Sequence, residues 1–76
     1  MEIEVYDVLR VRTFGSYAFI DSRSTHRMVD LHSRDICIYL GVGNHLDHVF
    51  LTPYGILGWN GKFKNILCVL EVVDRV

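Results

Sequence analysis

Cysteine is scarce: Cys37 and Cys68 are the only two in 76 residues. Two thiols are too few for the disulfide framework that holds small secreted domains together. The N-terminus has no basic start followed by an apolar stretch and a small-residue cleavage site, so the expectation is a reduced, cytoplasmic protein. One proline, with 50% hydrophobic and 22% charged residues, excludes a collagen-like or disordered chain and fits a compact globular domain. Charge of one sign is also lacking. Eight Lys and Arg stand against nine Asp and Glu, a net charge of −1, so the field of the whole molecule does not gather polyanions. Nor is there a long hydrophobic run. The longest, Ile66 to Val73, is interrupted by Glu71 and falls far below the roughly 20 apolar residues that cross a bilayer, so no membrane partner is expected. No internal repeat or low-complexity tract is visible.

What is present is short, patterned and β-like. Residues 2–6 alternate as Glu2-Ile3-Glu4-Val5-Tyr6, and Leu9-Arg10-Val11-Arg12 alternates again after the apolar pair Val8-Leu9. Phe14-Gly15-Ser16 is a turn signal, and Tyr17-Ala18-Phe19-Ile20 is aromatic and β-branched. Residues 1–20 are therefore expected to form an N-terminal β-hairpin, and the polar stretch beginning at Asp21 a loop over 21–34. Further strands are expected at 36–40, ending in Gly41-Val42-Gly43-Asn44, at 48–52, stopped by Pro53, and at 56–59 after a tight Tyr54-Gly55 turn. Residues 60–65 have room for one short helical turn, and Leu67 to Val73 reads as a closing, near-continuous apolar strand. At about 100–200 residues per domain this chain is a single domain, 1–76, of mainly β class.

The order of these elements over Arg34 to Val73 resembles small SH3-like β-barrels, in which a Gly-Trp or similar pair ends one strand, a helical turn follows and a short apolar strand closes the barrel. Asp35-Ile36-Cys37-Ile38-Tyr39-Leu40-Gly41 and Gly58-Trp59 carry a resemblance to small SH3-like proteins encoded by tailed bacteriophages. The resemblance implies a barrel over residues 35–73 with the N-terminal hairpin added. It further implies a viral accessory protein working in the host cytoplasm by binding a host or viral protein. The chain lacks the acidic first loop and the Pro-Ser-Asn-Tyr-like sequence of signalling SH3 domains, so binding of proline-rich peptides is not implied.

Three sets of residues bear on chemistry. Cys37, His45, His48 and Cys68 supply zinc-type donors, but not the paired Cys-x₂₋₄-Cys or His-x₃₋₅-His spacing of structural zinc sites; no metal or other cofactor is expected, and His45 and His48 read as exposed loop-end residues. Ser24 or Thr25 beside His26, or Cys37 with a histidine, are the only nucleophile and base pairs, and no nucleophile elbow or phosphate-cradling glycine loop accompanies them, so an enzyme is not expected. Arg10, Arg12, Arg23, Arg27 and Arg34 against Asp21 and Asp30 give residues 8–34 a local excess of three positive charges, which defines the alternative of a nucleic-acid-binding regulator, with Tyr17 and Phe19 as rings for base stacking.

The leading expectation is a non-catalytic protein-binding module. Aromatic residues concentrate in the second half, and Tyr39, Tyr54, Trp59 and Phe63 form a candidate partner-binding groove, with Tyr54 the most exposed. The run from Ile66 to Val73 does not alternate, and a strand apolar on both faces is normally covered on both. A small barrel has one interior, so the outer face of Leu67 to Val73 is expected to meet the N-terminal segment, a second copy or a foreign protein.

Overall fold

The computed structural model describes residues 3–21, 23, 25–43, 46–61 and 68–74. They are all β. Seven strands run β1 (Val8–Val11), β2 (Gly15–Ile20), β3 (His26–Leu31), β4 (Ile36–Gly43), β5 (Leu46–Thr52), β6 (Gly55–Trp59) and β7 (Leu70–Asp74). They form one antiparallel sheet in the order β3-β2-β6-β5-β4-β1-β7. Among the described residues no helix is long and apolar enough to cross a membrane.

Alternation decides what each strand buries. In β4, Cys37 and Tyr39 face inward; in β5, His48, Phe50 and Thr52 do so; Leu57 follows in β6. Leu9 and Val11 of β1, Phe19 of β2, Val29 and Leu31 of β3 and Leu70 of β7 join the same core cluster. Five strand spacings separate β3 from β1, about 24 Å in a flat sheet. The two strands share a core because the sheet twists and coils strongly about Phe50 and Leu57.

Local irregularities provide the bend. The β4–β5 register slips between Tyr39 and Gly41 and again between Gly41 and Gly43, and Gly41 sits at φ +100°. In β1–β7 the register slips between Val8 and Leu9, which face Asp74 and Val72. The link between β2 and β6 is a single register pair, Ile20 with Gly58, so the β2–β3 hairpin joins the rest of the sheet through a narrow seam.

Several expectations are corrected. Of residues 2–6, the described residues 3–6 do not form a strand: the Glu4 N–H donates to the Asp7 carboxylate at 2.9 Å, the Asp7 N–H donates back to the Glu4 carbonyl at 3.0 Å, and Tyr6 adopts φ 70°. That tight turn interrupts the alternation. The N-terminal hairpin is not made either, because both edges of β1 are occupied, by β4 and β7, and β2 instead turns back on β3. The loop over 21–34 contains a strand. Asp21 accepts the N–H groups of Arg23 and Thr25, which confines the turn to 21–25 and lets 26–31 extend with Val29 and Leu31 inward. Gly41-Val42-Gly43 is bulged strand rather than turn. The closing strand begins at Leu70, with exposed Cys68 in a turn before it.

Hydrogen bonding does not close the sheet into a barrel: β3 and β7 stand at its two edges, and no ladder joins them among the described residues. The helical turn expected over 60–65 falls mostly outside the described residues, and Asn60 and Gly61 are not helical.

A Cβ added at Gly41 meets Val5 Cγ2 at 3.2 Å on top of the positive φ. Gly41→Ala is expected to lower stability by about 1–3 kcal/mol in urea denaturation, with no change in the oligomeric state of the folded protein.

Candidate functional site: the outer face of the sheet

The inward-facing residues of β4 and β5 leave their neighbours on the opposite face. In β4, before its bulge, these are Ile36, Ile38 and Leu40, in β5 Val49 and Leu51, in β6 Ile56, in β1 Val8. The register aligns four of them. Val8 pairs with Ile38, Ile38 with Leu51 and Leu51 with Ile56, so one row of aliphatic side chains crosses four neighbouring strands. Directly opposed residues on one face of an antiparallel pair stand about 4.5–5.5 Å apart at Cβ, so the row is continuous. Ile56 is 54% exposed, Ile36 44% and Leu51 42%. Scattered exposed aliphatics are ordinary on any protein surface, whereas a contiguous patch marks an interaction site.

Charge is confined to the margins of this face. Arg10 of β1 donates to Glu71 Oε1 of β7 through Nη2 at 2.6 Å and Nε at 3.0 Å, and this partner holds the Glu71 carboxyl below its ordinary value. At the far end of β5, Asp47 accepts the Gly61 N–H at 2.9 Å. Between them the surface is aliphatic and can bury itself against another apolar surface without stranding a charge.

The expected aromatic groove is not assembled. Tyr39 is a core residue, 4% exposed, with its hydroxyl 3.0 Å from His48 Nδ1. Tyr54 is half-buried rather than exposed, and its hydroxyl donates to Asp35 Oδ2 at 2.7 Å. Trp59 packs against the core, edge-on to Phe19 at 6.1 Å between ring centroids. Tyr54 precedes β6 and Trp59 ends it, so strand rise alone sets them about 16 Å apart. Phe63 lies outside the described residues. Trp59 lines a recess of about 220 Å³ at the β2–β6 seam, with Phe19, Ile20 and His26.

The arginines fall into two groups, Arg23 with Arg27 and Arg10 with Arg12 and Arg34. Arg23 and Arg27 lie near Asp21 at the end of the β2–β3 hairpin, and both lower the Asp21 pKa less than the two backbone N–H donors do. Arg10 is in the ion pair with Glu71. Arg12 and Arg34 adjoin the point where the Val11 N–H donates to the Asp35 carbonyl. In the sheet, β2, β6, β5 and β4 separate Arg27 from Arg10.

His48 is buried, not exposed, and its ring is held at both nitrogens: Nε2 lies 3.1 Å from the Gly61 carbonyl, which only accepts. Neutral His48 therefore carries its proton on Nε2, and the Tyr39 hydroxyl donates to Nδ1. The Cys37 thiol is pushed up to about 11, first by burial and then by Asp35, the reverse of what a nucleophile or metal ligand needs. His45 and Ser24 lie outside the described residues; Thr25 is engaged through its backbone with Asp21, beside exposed His26.

Of the apolar run singled out in the sequence, Ile66 and Leu67 lie outside the described residues; Val73 is 42% exposed, while Leu70 is core and Val72 is half-buried against it. The signal for this aliphatic face was in β4, where Ile36, Ile38 and Leu40 share one parity while Cys37 and Tyr39 share the other. Comparison with family models, with curated proteins and with solved structures gives no match.

The Asp35 carboxylate ties the β3–β4 turn to the β5–β6 turn by accepting the His32 N–H at 3.0 Å and the Tyr54 hydroxyl. These bonds favour the charged form and lower its pKa from 3.8, the His32 N–H being the larger cause. A depressed carboxylate stabilises the fold above its unfolded pKa and ceases to do so as pH falls through the folded value. Stability is therefore expected to fall as pH drops below 3.8, and Tyr54→Phe to lower stability at neutral pH while shifting the acid transition upward. Thermal melts across pH for both proteins check this.

Proposed function

We propose that this chain is a small non-catalytic binding module that acts through protein–protein contact across the outer face of its sheet. The Val8–Ile38–Leu51–Ile56 row is the observation that carries the reading. A patch that is aliphatic at its centre and charged only at its margin has the anatomy of a protein interface, with a dry core and a polar rim. The division of the five arginines into two groups on different strands, with Arg10 paired to Glu71, supports this reading over the nucleic-acid alternative, since phosphate tracking needs basic side chains along one groove.

The strand connectivity supports an SH3-like origin for the fold. β7 lies against β1, β1 against β4, the meander β4-β5-β6 follows, and the β2–β3 hairpin is inserted between β1 and β4 in the chain. The resemblance to SH3-like phage proteins supports an accessory role in an infected cell, in which a module of this size occludes or redirects a host protein or assembles with viral ones.

Tagged chain co-expressed with an untagged copy, and the same pair carrying Leu51→Asp, are purified from lysate split into nuclease-treated and untreated halves. The wild type is expected to retain protein, copy or foreign, at about 200 mM salt, where phosphate-mediated binding is already strongly weakened, and Leu51→Asp to lose it. Retention of nucleic acid alone, or protein retained equally by both, overturns the reading.

A further inference from the structure

We infer that the outer face is covered by a second copy of this chain, two sheets packing face to face about a two-fold axis. The inference rests on the reading that this face is the contact surface, and it names the partner. Three observations favour self-association.

Area is the first. The exposed fractions of Ile56, Ile36, Leu51 and their half-buried neighbours leave an apolar surface on the order of 400 Å², within the range of the largest patch on a typical monomer, about 300–600 Å². A standard interface takes about 800 Å² from each partner, and homodimer interfaces are about 65% apolar, so this patch supplies most of the apolar area that one copy contributes.

Charge is the second. A two-fold interface sets a patch against itself, so an uncompensated charge on it meets its own like. Here Arg10 and Glu71, beside the aliphatic row, neutralise each other within one chain, Asp74 stands opposite Val8 only at the row's outer end on edge strand β7, and the net charge of −1 adds little repulsion between copies.

Shape is the third. The row crosses four adjacent strands of a twisted sheet, and twisted sheets stack with their strands about 30° apart and about 10 Å between layers. The aliphatic side chains of β4, two residues apart along the centre of the face, supply the interdigitating layer. The pair then forms a sandwich of two sheets with its second core between the copies.

Sedimentation equilibrium of the purified full chain over a wide concentration range tests this. The expected mass is twice 8.8 kDa. Leu51→Asp and, independently, Ile56→Asp should each weaken dimerisation by at least about 100-fold, as burying an unpaired carboxylate does, while far-ultraviolet circular dichroism stays that of the wild type. Met28→Asp, on edge strand β3 with Met28 64% exposed, should leave the dimer intact. A wild type that remains at 8.8 kDa throughout overturns the inference; if Leu51-dependent retention of a foreign protein persists alongside it, the interaction reading survives with another partner. A dimer unaffected by both outer-face substitutions and dissolved by Met28→Asp also overturns it, assigning the contact to the sheet edge.

Discussion

The coiling of a single sheet about Phe50 and Leu57 is the constraint on which the rest of the molecule depends. The seven short strands pair into one sheet, and its wrap brings β1 and β3, distant in strand order, into one core. The bulged stretch of β4 with Gly41 in the left-handed region is where backbone geometry permits this. A domain of this length buries only about 60% of the surface its unfolded chain exposes, so apolar area outside the core has a large part in its stability.

Polar groups inside the wrap are accommodated by bonding rather than by exclusion. Thr52 donates to the Gly55 carbonyl and accepts the Tyr54 N–H, which closes the β5–β6 turn from within. His48 joins Tyr39 on β4 to the backbone after β6, so one imidazole spans three consecutive elements of the meander. Among the described residues no buried side-chain nitrogen or oxygen lacks a hydrogen-bond partner. Such a network favours one register, since a slip of one residue would turn Tyr39 and His48 outward and leave their partners unsatisfied.

Legibility in the sequence followed the range of the interaction responsible. The β5–β6 hairpin was readable because Pro53, Tyr54 and Gly55 are adjacent and the flanking strands alternate in register. The turn at residues 4–7 was not, because the carboxylate of Asp7 reaching back to Glu4 overrides a run that alternates perfectly well on paper. β3 was hidden behind the polar residues that Asp21 gathers into its turn. Non-alternation occurs twice in the chain, in Ile36 to Val42 and in Ile66 to Val73, and composition ranks the second higher. Only pairing across the sheet, which is long-range, shows that β4 is flanked on both sides and carries the middle of the aliphatic face while β7 is an edge. The groove expected from Tyr54 and Trp59 failed for a related reason: closeness in sequence along a strand is distance in space.

The narrow seam between β2 and β6 sets how the molecule comes apart. The hairpin contributes Phe19, Val29 and Leu31 to the core but is stitched to the meander at one register pair, so side-chain packing, rather than the hydrogen-bond ladder, keeps it in place. Its release breaks few backbone bonds and exposes much apolar surface, a combination that makes opening infrequent yet independent of the unravelling of β4 to β6. Backbone amides of β2 and β3 then exchange with solvent through a separate excursion from those of β4 and β5. The fold thus consists of a five-strand body and a two-strand flap that close on each other.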